Sequence, residues 1–338
     1  MLFIDALRRV VTHRDYAPEV GFCPEAVREK HDGLVIPAAN WLNGSSDWGG
    51  LADLIERSKL PCVLVGLGAQ APSEERVPRV SEGTRRLLHV AAERSHSVSV
   101  RGTYSAEMVE RLGVKNVTVT GCPSLLWHVD RTPQVAPSGT GAVEKVTINA
   151  SRENDLAALS RDDLRNKVSC LLSREALKHG YDFVIQTEAP DLEMVMSMEQ
   201  CRAPTPATVD YLKEAFSADA TALTAFFRNR VRAYFDPAEW IASMRGTDAV
   251  IGTRLHGVIA GLLAGTPSVL ITHDTRTREM ADHAAIPQVS ANSVLEKGGI
   301  SPRRLIEKAD FKAFHERMQS YRRNFQAFFT ANEVHVAL

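Results

Sequence analysis

The segment 248–271 constrains the fold of this chain more than any other, because it reads as strand, tight turn, helix and second strand in direct succession. An apolar run over 249–252 ends in glycine, and helical character begins near Leu255. Gly265 stands in the position that commonly ends a helix. The next apolar run, 268–271, has the length of a buried parallel strand. This order predicts an α/β protein with parallel strands.

The turn between the first strand and the helix carries Arg254 and His256. In α/β proteins, ligands bind at the carboxyl ends of parallel strands, and a helix N-terminus at that place attracts anions. Neither residue belongs to the apolar face of the helix. The turn therefore predicts a site for a phosphate or a carboxylate. The alternative is that an arginine or histidine at a helix start serves the structure alone.

The rest of the chain repeats the alternation of helix and strand. Strands are predicted at 33–37, 62–68, 97–100, 116–120, 146–150 and 182–186. Helices are predicted at 2–11, 48–58, 82–93, 103–112, 162–178, 191–230 with a break near 203–206, 237–244 and 302–330. We interpret the segment 131–145, rich in Pro, Gly, Ser and Thr, as a linker.

These elements predict two Rossmann-like domains that face a central cleft, an arrangement of the GT-B type. The N-terminal domain would span 1–135 and the C-terminal domain 146–301, followed by a helical tail over 302–338. Ligands would lie in the cleft, in contact with turns from both domains.

Composition limits the classes of partner that we expect for this protein and the compartment in which we expect it. The chain has 40 basic and 41 acidic residues, so its net charge of -1 gives no general electrostatic case for nucleic acid. No run approaches the roughly 18 apolar residues that span a bilayer, which leaves only peripheral membrane association open. Five scattered cysteines without CxxC spacing favour a reducing compartment and no zinc site. We expect a cytoplasmic protein without a metal, free or at the inner face of the membrane.

Further polar residues follow predicted strands or begin predicted helices. Those that we predict to line the site are Asn40, Gln70, Arg101, Ser105, Asn149 and Asp274, and the polar turns 149–152 and 186–188 also follow strands. Each has a structural alternative: a helix cap for Ser105, turn geometry for Asn40, a surface ion pair for Asp274. The turn before Gln70 lacks the full dinucleotide fingerprint, so a nicotinamide site is disfavoured.

In their order along the chain, these motifs resemble the polysaccharide pyruvyl transferases. The resemblance covers about 32–287 and rests first on Thr253-Arg-Leu-His256 with the downstream Ala260, Gly265-Thr-Pro267 and Asp274. It is supported by Arg101-Gly-Thr-Tyr-Ser105, Leu112-Gly113 and Val119-Thr-Gly-Cys-Pro-Ser124. The resemblance implies a GT-B-like fold of two domains.

The resemblance also implies an activity: transfer of a carboxyethylidene (pyruvyl) group from phosphoenolpyruvate to two hydroxyls of a sugar in a cell-surface polysaccharide or its precursor. Phosphate is released, phosphoenolpyruvate is the donor substrate, and no cofactor is needed. Arg254 would bind one anionic group of the donor and Arg101 the other, while His256 would act as acid or base. Leu255 lies between Arg254 and His256 and completes the predicted substrate contacts. The acceptor would be free or lipid-linked.

The chain departs from the family pattern in places. The family usually begins with a strand and a glycine turn, whereas this chain starts directly in the first helix, so the first strand is absent or the chain is truncated. Pro37-Ala-Ala-Asn40 replaces a glycine-rich stretch, and Cys122 stands where an acidic residue is common. Two alternatives stay open. One is a GT-B glycosyltransferase or epimerase that binds a nucleotide-sugar diphosphate at the same helix N-terminus, and the other is a non-catalytic family member that acts as a binding protein.

Overall fold

The computed structural model describes residues 1–17, 22–70, 79–135, 143–159 and 163–338. The chain forms two compact units. The N-terminal unit comprises 2–132, 274–285 and 313–338, and the C-terminal unit comprises 133–273 and 286–312. Part of the predicted linker, 136–142, and the predicted helix start at Asp162 lie outside the described residues.

The elements largely follow the predicted alternation. In chain order the strands are β1 (Leu34–Pro37), β2 (Cys62–Val65), β3 (Val98–Val100), β4 (Val117–Val119), β5 (Val146–Asn149), β6 (Asp182–Ile185), β7 (Val231–Ala233), β8 (Ala249–Gly252), β9 (Ser268–Thr272) and β10 (Gln288–Ser290). The helices are α1 (Leu2–Val10), α2 (Pro24–Lys30), α3 (Gly49–Ser58), α4 (Glu82–Glu93), α5 (Thr103–Arg111), α6 (Leu156–Leu159), α7 (Leu164–His179), α8 (Ala189–Glu199), α9 (Pro206–Phe216), α10 (Ala220–Arg230), α11 (Pro237–Met244), α12 (Leu255–Ala264), α13 (Thr275–Ala284), α14 (Ala291–Glu296), α15 (Pro302–Glu307) and α16 (Phe311–Ala331).

The C-terminal unit is built on a six-stranded parallel sheet in the order β10-β9-β8-β5-β6-β7. Its central strands β5, β8 and β9 are buried along their whole length, as their continuous apolar runs predict. Since the strands are parallel, the residues that follow β5, β6, β8 and β9 lie at one edge of the sheet. The α/β fold predicted from the sequence is confirmed.

The N-terminal unit pairs β1 with β2 and β3 with β4, all parallel, and a parallel bridge between Leu67 and Val100 joins the second strand region to the third. Helices α3, α4 and α5 supply the apolar faces of its core. The returning helix α16 packs in the same unit, where the hydroxyl of Tyr321 donates to the carbonyl of Cys122 at 2.9 Å.

Helices α1 and α16 lie near the two ends of the described chain. Both are amphipathic, and α1 buries Leu2, Phe3 and Leu7. Among the helices of the described residues, none is both long enough and apolar enough to cross a membrane.

Candidate active site

Asn149, the last residue of β5, fixes the turn that follows β8. Its carbonyl accepts from the N–H of Thr253 at 3.1 Å, and its side-chain Oδ1 accepts from the N–H of Arg254 at 3.0 Å. A Cβ at Gly252 would lie 2.1 Å from the Asn149 carbonyl oxygen, and one at Gly257 would lie 2.5 Å from its Nδ2. A side chain at Gly252 or Gly257 would therefore collide with Asn149, which is only 1% exposed. Asn149 supports the turn from within the unit.

The side chain of Arg254 is held by the turn that follows β6. Its Nε donates to Glu188 Oε1 at 3.0 Å, and its Nη2 donates to the same oxygen and to Thr187 Oγ1 at 2.7 Å. Glu188 is 2% exposed, and its other oxygen accepts from the N–H groups of Gln186 and Thr187 at 3.1 and 3.2 Å. The guanidinium therefore has a fixed orientation, while its side chain remains 24% exposed.

A second ion pair lies beneath this turn. Arg152 and Asp191 are both fully buried and joined directly, and Arg152 also donates to Ser173 Oγ. Burial disfavours the charge on the guanidinium, but the attraction of Asp191 outweighs it, so the pKa of Arg152 is raised. Removing either partner would leave an uncompensated buried charge, so the pair supports the start of α8.

The N-cap residue of α12 does not cap the helix with its side chain. Arg254 is its N-cap residue and makes no side-chain cap hydrogen bond. Among the described residues, no acceptor bonds the N–H groups of Leu255 and Gly257. The half-buried His256 stands in this same first turn. Uncapped N–H groups, a helix of 10 residues and a partly exposed arginine are the features that favour an anion at a helix start, so the anion site expected from the sequence stays a prediction here.

The corresponding position in the N-terminal unit, the start of α5, is occupied by the protein's own carboxylate. Glu279 of α13 accepts from the N–H of Ser105 at 2.9 Å and from its hydroxyl at 2.7 Å. The same hydroxyl accepts from the N–H of Ala69 at 3.0 Å. A Cβ at Gly102 would lie 2.7 Å from a Glu279 oxygen, so glycine permits the close approach.

Arg101 lies beside this carboxylate and is only 5% exposed. Its Nε donates to the carbonyl of Gly66 at 2.8 Å, and its guanidinium stands 5.8 Å from the ring centre of Phe3. Burial lowers the pKa of Arg101. Burial raises the pKa of Glu279, although the hydrogen bonds from Ser105 and the charge of Arg101 oppose this shift. Arginine and carboxylate thus compensate each other inside the unit.

The other predicted residues are also placed in the N-terminal unit. Asn40 and Gln70, which follow β1 and β2, are joined by a hydrogen bond from Asn40 Nδ2 to Gln70 Oε1. Asp274 caps α13 through a capping box in which its Oδ1 accepts from the N–H of Thr277 at 2.7 Å, and it pairs with Arg276 at 3.5 Å. Asp274 therefore has a clear structural task.

The predicted residues fall into two groups. The C-terminal unit brings together Asn149, Arg254, Leu255 and His256, whereas the N-terminal unit holds Asn40, Gln70, Arg101, Ser105 and Asp274. Their contacts with a substrate stay predictions. Among the described residues, no group of three or more His, Cys, Asp or Glu side chains is placed to hold a metal ion.

The sequence analysis did not identify two carboxylates of these sites, Glu188 and Glu279. Glu188 lies in a turn that was noted as polar, but nothing local indicated its ion pair with Arg254. Glu279 lies within a helix, 174 residues after Ser105, so no spacing in the sequence could connect the two.

Several solved structures resemble the chain at low identity. HepE of Anabaena, solved in complex with UDP and glucose, shares 14% identity over 94% of this chain and 83% of its own, with a TM-score of 0.44. A putative UDP-N-acetylglucosamine 2-epimerase of Listeria monocytogenes shares 12% identity over 91% of this chain and 74% of its own, with a TM-score of 0.47. These likenesses are too distant to carry an argument about function.

Sequence families give a clearer result. No curated protein sequence matches the chain. The family model described as polysaccharide pyruvyl transferase matches residues 2–275, which is most of the chain. The chain therefore belongs to the polysaccharide pyruvyl transferase family.

Proposed function

We propose that this chain transfers a carboxyethylidene group from phosphoenolpyruvate to two hydroxyls of a saccharide and releases phosphate. Family membership supports an enzyme of this class. The observation that carries the choice of donor is the uncapped N-terminus of α12, with Arg254 as its N-cap residue and His256 in its first turn. Phosphoenolpyruvate has a phosphate and a carboxylate, the groups that such a receptor binds best.

The reaction sets the tasks of the site. The central carbon of phosphoenolpyruvate forms bonds to two acceptor oxygens, its bond to the phosphate oxygen breaks, and its methylene group becomes a methyl group. The acceptor hydroxyls lose two protons in total. The methyl carbon gains one proton, and the other leaves with phosphate. The site must therefore supply a proton at carbon and accept one from an attacking hydroxyl. An imidazole does either near neutral pH, so His256 is assigned to proton transfer.

Arg254 would bind an anionic group of the donor. Its Nε and Nη2 contact Glu188 and Thr187, which leaves Nη1 to meet the ligand. The negative charge of Glu188 weakens the attraction of Arg254 for an anion but fixes its geometry before the ligand arrives. Fixed donors favour the developing charge of a transition state, since no reorganisation is needed during the reaction.

Mass spectrometry tests the proposal. A panel of methyl glycosides is incubated with the full chain and phosphoenolpyruvate, and both the carboxyethylidene adduct and released phosphate are measured. We expect an adduct with the unchanged chain and none with His256→Ala. His179→Ala is the matched control because that histidine is exposed at the end of α7, in the same unit.

Two results would contradict the proposal. One is phosphate release and adduct formation that His256→Ala leaves unchanged, which removes His256 from the mechanism. The other is stabilisation of the chain against heating by uridine diphosphate sugars and not by phosphoenolpyruvate. That result would favour a nucleotide-sugar enzyme on the same fold.

A further inference from the structure

We infer that Trp41 and Trp48 of the N-terminal unit form the surface on which the acceptor saccharide packs, an inference that rests on the proposed saccharide acceptor. The two indole rings are stacked, with centres 4.1 Å apart and planes inclined by 26°. Two of the four tryptophans of the chain thus stand together within the loop 40–48. Both are half-buried against the core of the unit and present the remainder of their surface outward.

The start of the loop is tied to the segment that follows β2. Leu42 forms a parallel bridge with Ala69. The N–H of Leu42 donates to the carbonyl of Gly68 at 3.1 Å, and the N–H of Gln70 donates to the carbonyl of Leu42 at 2.9 Å. Trp41 is therefore held at the carboxyl ends of β1 and β2, the edge at which parallel α/β sheets bind ligands.

The end of the loop is tied to α4. The N–H of Trp48 donates to Thr84 Oγ1 at 3.3 Å, and that hydroxyl donates to the carbonyl of Ser46 at 3.0 Å. Between the two tryptophans, Asn43 Oδ1 accepts from the N–H groups of Ser45 and Ser46 at 2.8 and 2.9 Å. The loop is thus folded on itself and fixed at both ends, so binding would order little further chain and lose little entropy.

The chemistry of the loop fits a neutral saccharide better than an anion. Residues 40–48 include no lysine or arginine and one carboxylate, Asp47, which accepts from the N–H of Gly49 at 2.8 Å, while Asn43, Ser45 and Ser46 are polar and uncharged. The faces of aromatic rings are the negative part of a quadrupole and attract the polarised C–H groups of a sugar ring. The linked amides of Asn40 and Gln70 stand at the start of the loop with further donor and acceptor capacity for hydroxyls. Aromatic faces beside amides therefore suit a saccharide.

Saturation-transfer NMR measures this contact without any need for turnover. The full chain is mixed with methyl glycosides of galactose, glucose, mannose and N-acetylmannosamine, in the absence of phosphoenolpyruvate. We expect saturation of the ring protons of at least one glycoside. The signal should be lost in Trp41→Ala and kept in Trp41→Phe, which retains an aromatic face. Trp127→Phe is the control. Trp127 lies in the same unit, where its indole N–H donates to Asp5 Oδ2 at 2.6 Å and its ring packs against the guanidinium of Arg9.

Kinetics with the glycoside that binds give a second measurement. Trp41→Ala should raise the KM for the glycoside by about tenfold and leave the KM for phosphoenolpyruvate unchanged. The same thermal midpoint in Trp41→Ala and Trp41→Phe excludes misfolding as the cause. No saturation transfer to any glycoside, or an equal signal in Trp41→Ala, overturns the inference. If glycosides bind through Trp41 but phosphoenolpyruvate is never consumed, the saccharide surface stands and the proposed reaction fails.

Discussion

The starts of α12 and α5 have the same kinds of residues, but their carboxylates bond different partners. Each helix follows a parallel strand, and each start has an arginine beside a buried carboxylate. At α5, the carboxylate of Glu279 bonds the helix N-terminus itself and Arg101 is buried. At α12, the carboxylate of Glu188 bonds the arginine side chain instead, and Arg254, the N-cap residue, makes no side-chain cap hydrogen bond. In the first arrangement the protein's own carboxylate bonds the helix start, whereas in the second that place is left for the external anion that we propose.

The largest expected effect is the loss of transfer activity when Arg254 is replaced. Arg254→Gln should lower the rate of transfer by at least about a hundredfold, because one fixed donor to a charged transition state is lost. Arg228→Gln, an exposed arginine of the same unit, should change nothing. Phosphate release measures both.

Arg101, the buried arginine before α5, provides a second test. If Arg101→Gln weakens phosphoenolpyruvate binding as strongly as Arg254→Gln, both arginines contact the donor and the contrast between the two helix starts is wrong. If it lowers only the free energy of unfolding, Arg101 belongs to the internal pair with Glu279.

The support of the α12 turn is open to a steric test. Gly257→Ala would place a methyl group 2.5 Å from Asn149 Nδ2, which should cost about 1–3 kcal/mol of unfolding free energy and reduce transfer together with it. Gly246→Ala is the matched control, since nothing lies within 4 Å of its Cβ position. Urea unfolding measures both. Equal stability of the two variants would show that Asn149 does not fix this turn.

A smaller loss is expected at α5. Ser105→Ala removes the hydroxyl bond to Glu279 and leaves the N–H of Ala69 without its acceptor, at a cost of about 1–2 kcal/mol in unfolding free energy. Thr103→Ala, an exposed residue at the start of the same helix, is the control. The KM for phosphoenolpyruvate should not change. A raised KM at unchanged stability would place Ser105 in the substrate site after all.

The smallest effect depends on pH. Because burial raises the folded-state pKa of Glu279, the native protein binds this proton more readily than the unfolded chain does. Its contribution to stability is fully present below the unfolded value of 4.5 and is lost as the pH rises through the folded pKa. The stability of the unchanged chain relative to Glu279→Gln should therefore increase as the pH falls from 7 towards 4.5. Urea unfolding at a series of pH values tests this, and a difference that shrinks on acidification would contradict the raised pKa.

The sequence predicted the α12 start well because its signals are local. Gly252, the arginine turn and Gly265 lie within one short stretch, and the last of these adopts the left-handed conformation that ends the helix. Strands β7 and β10 were missed because neither has the valine–polar–valine alternation of the equally short β3 and β4. Arg232 is the middle residue of β7 and Gln288 the first residue of β10. The carboxylate partners were missed for a different reason. Contacts between Glu188 and Arg254, or Ser105 and Glu279, join residues far apart in the chain, which local patterns do not record.

Calorimetric titration of phosphoenolpyruvate tests the central claim most directly, since it measures donor binding without an acceptor. The account predicts that the unchanged chain and Arg228→Gln bind phosphoenolpyruvate with the same Kd, and that Arg254→Gln binds it at least about tenfold more weakly. Equal affinity in all three would show that the start of α12 is not the donor site.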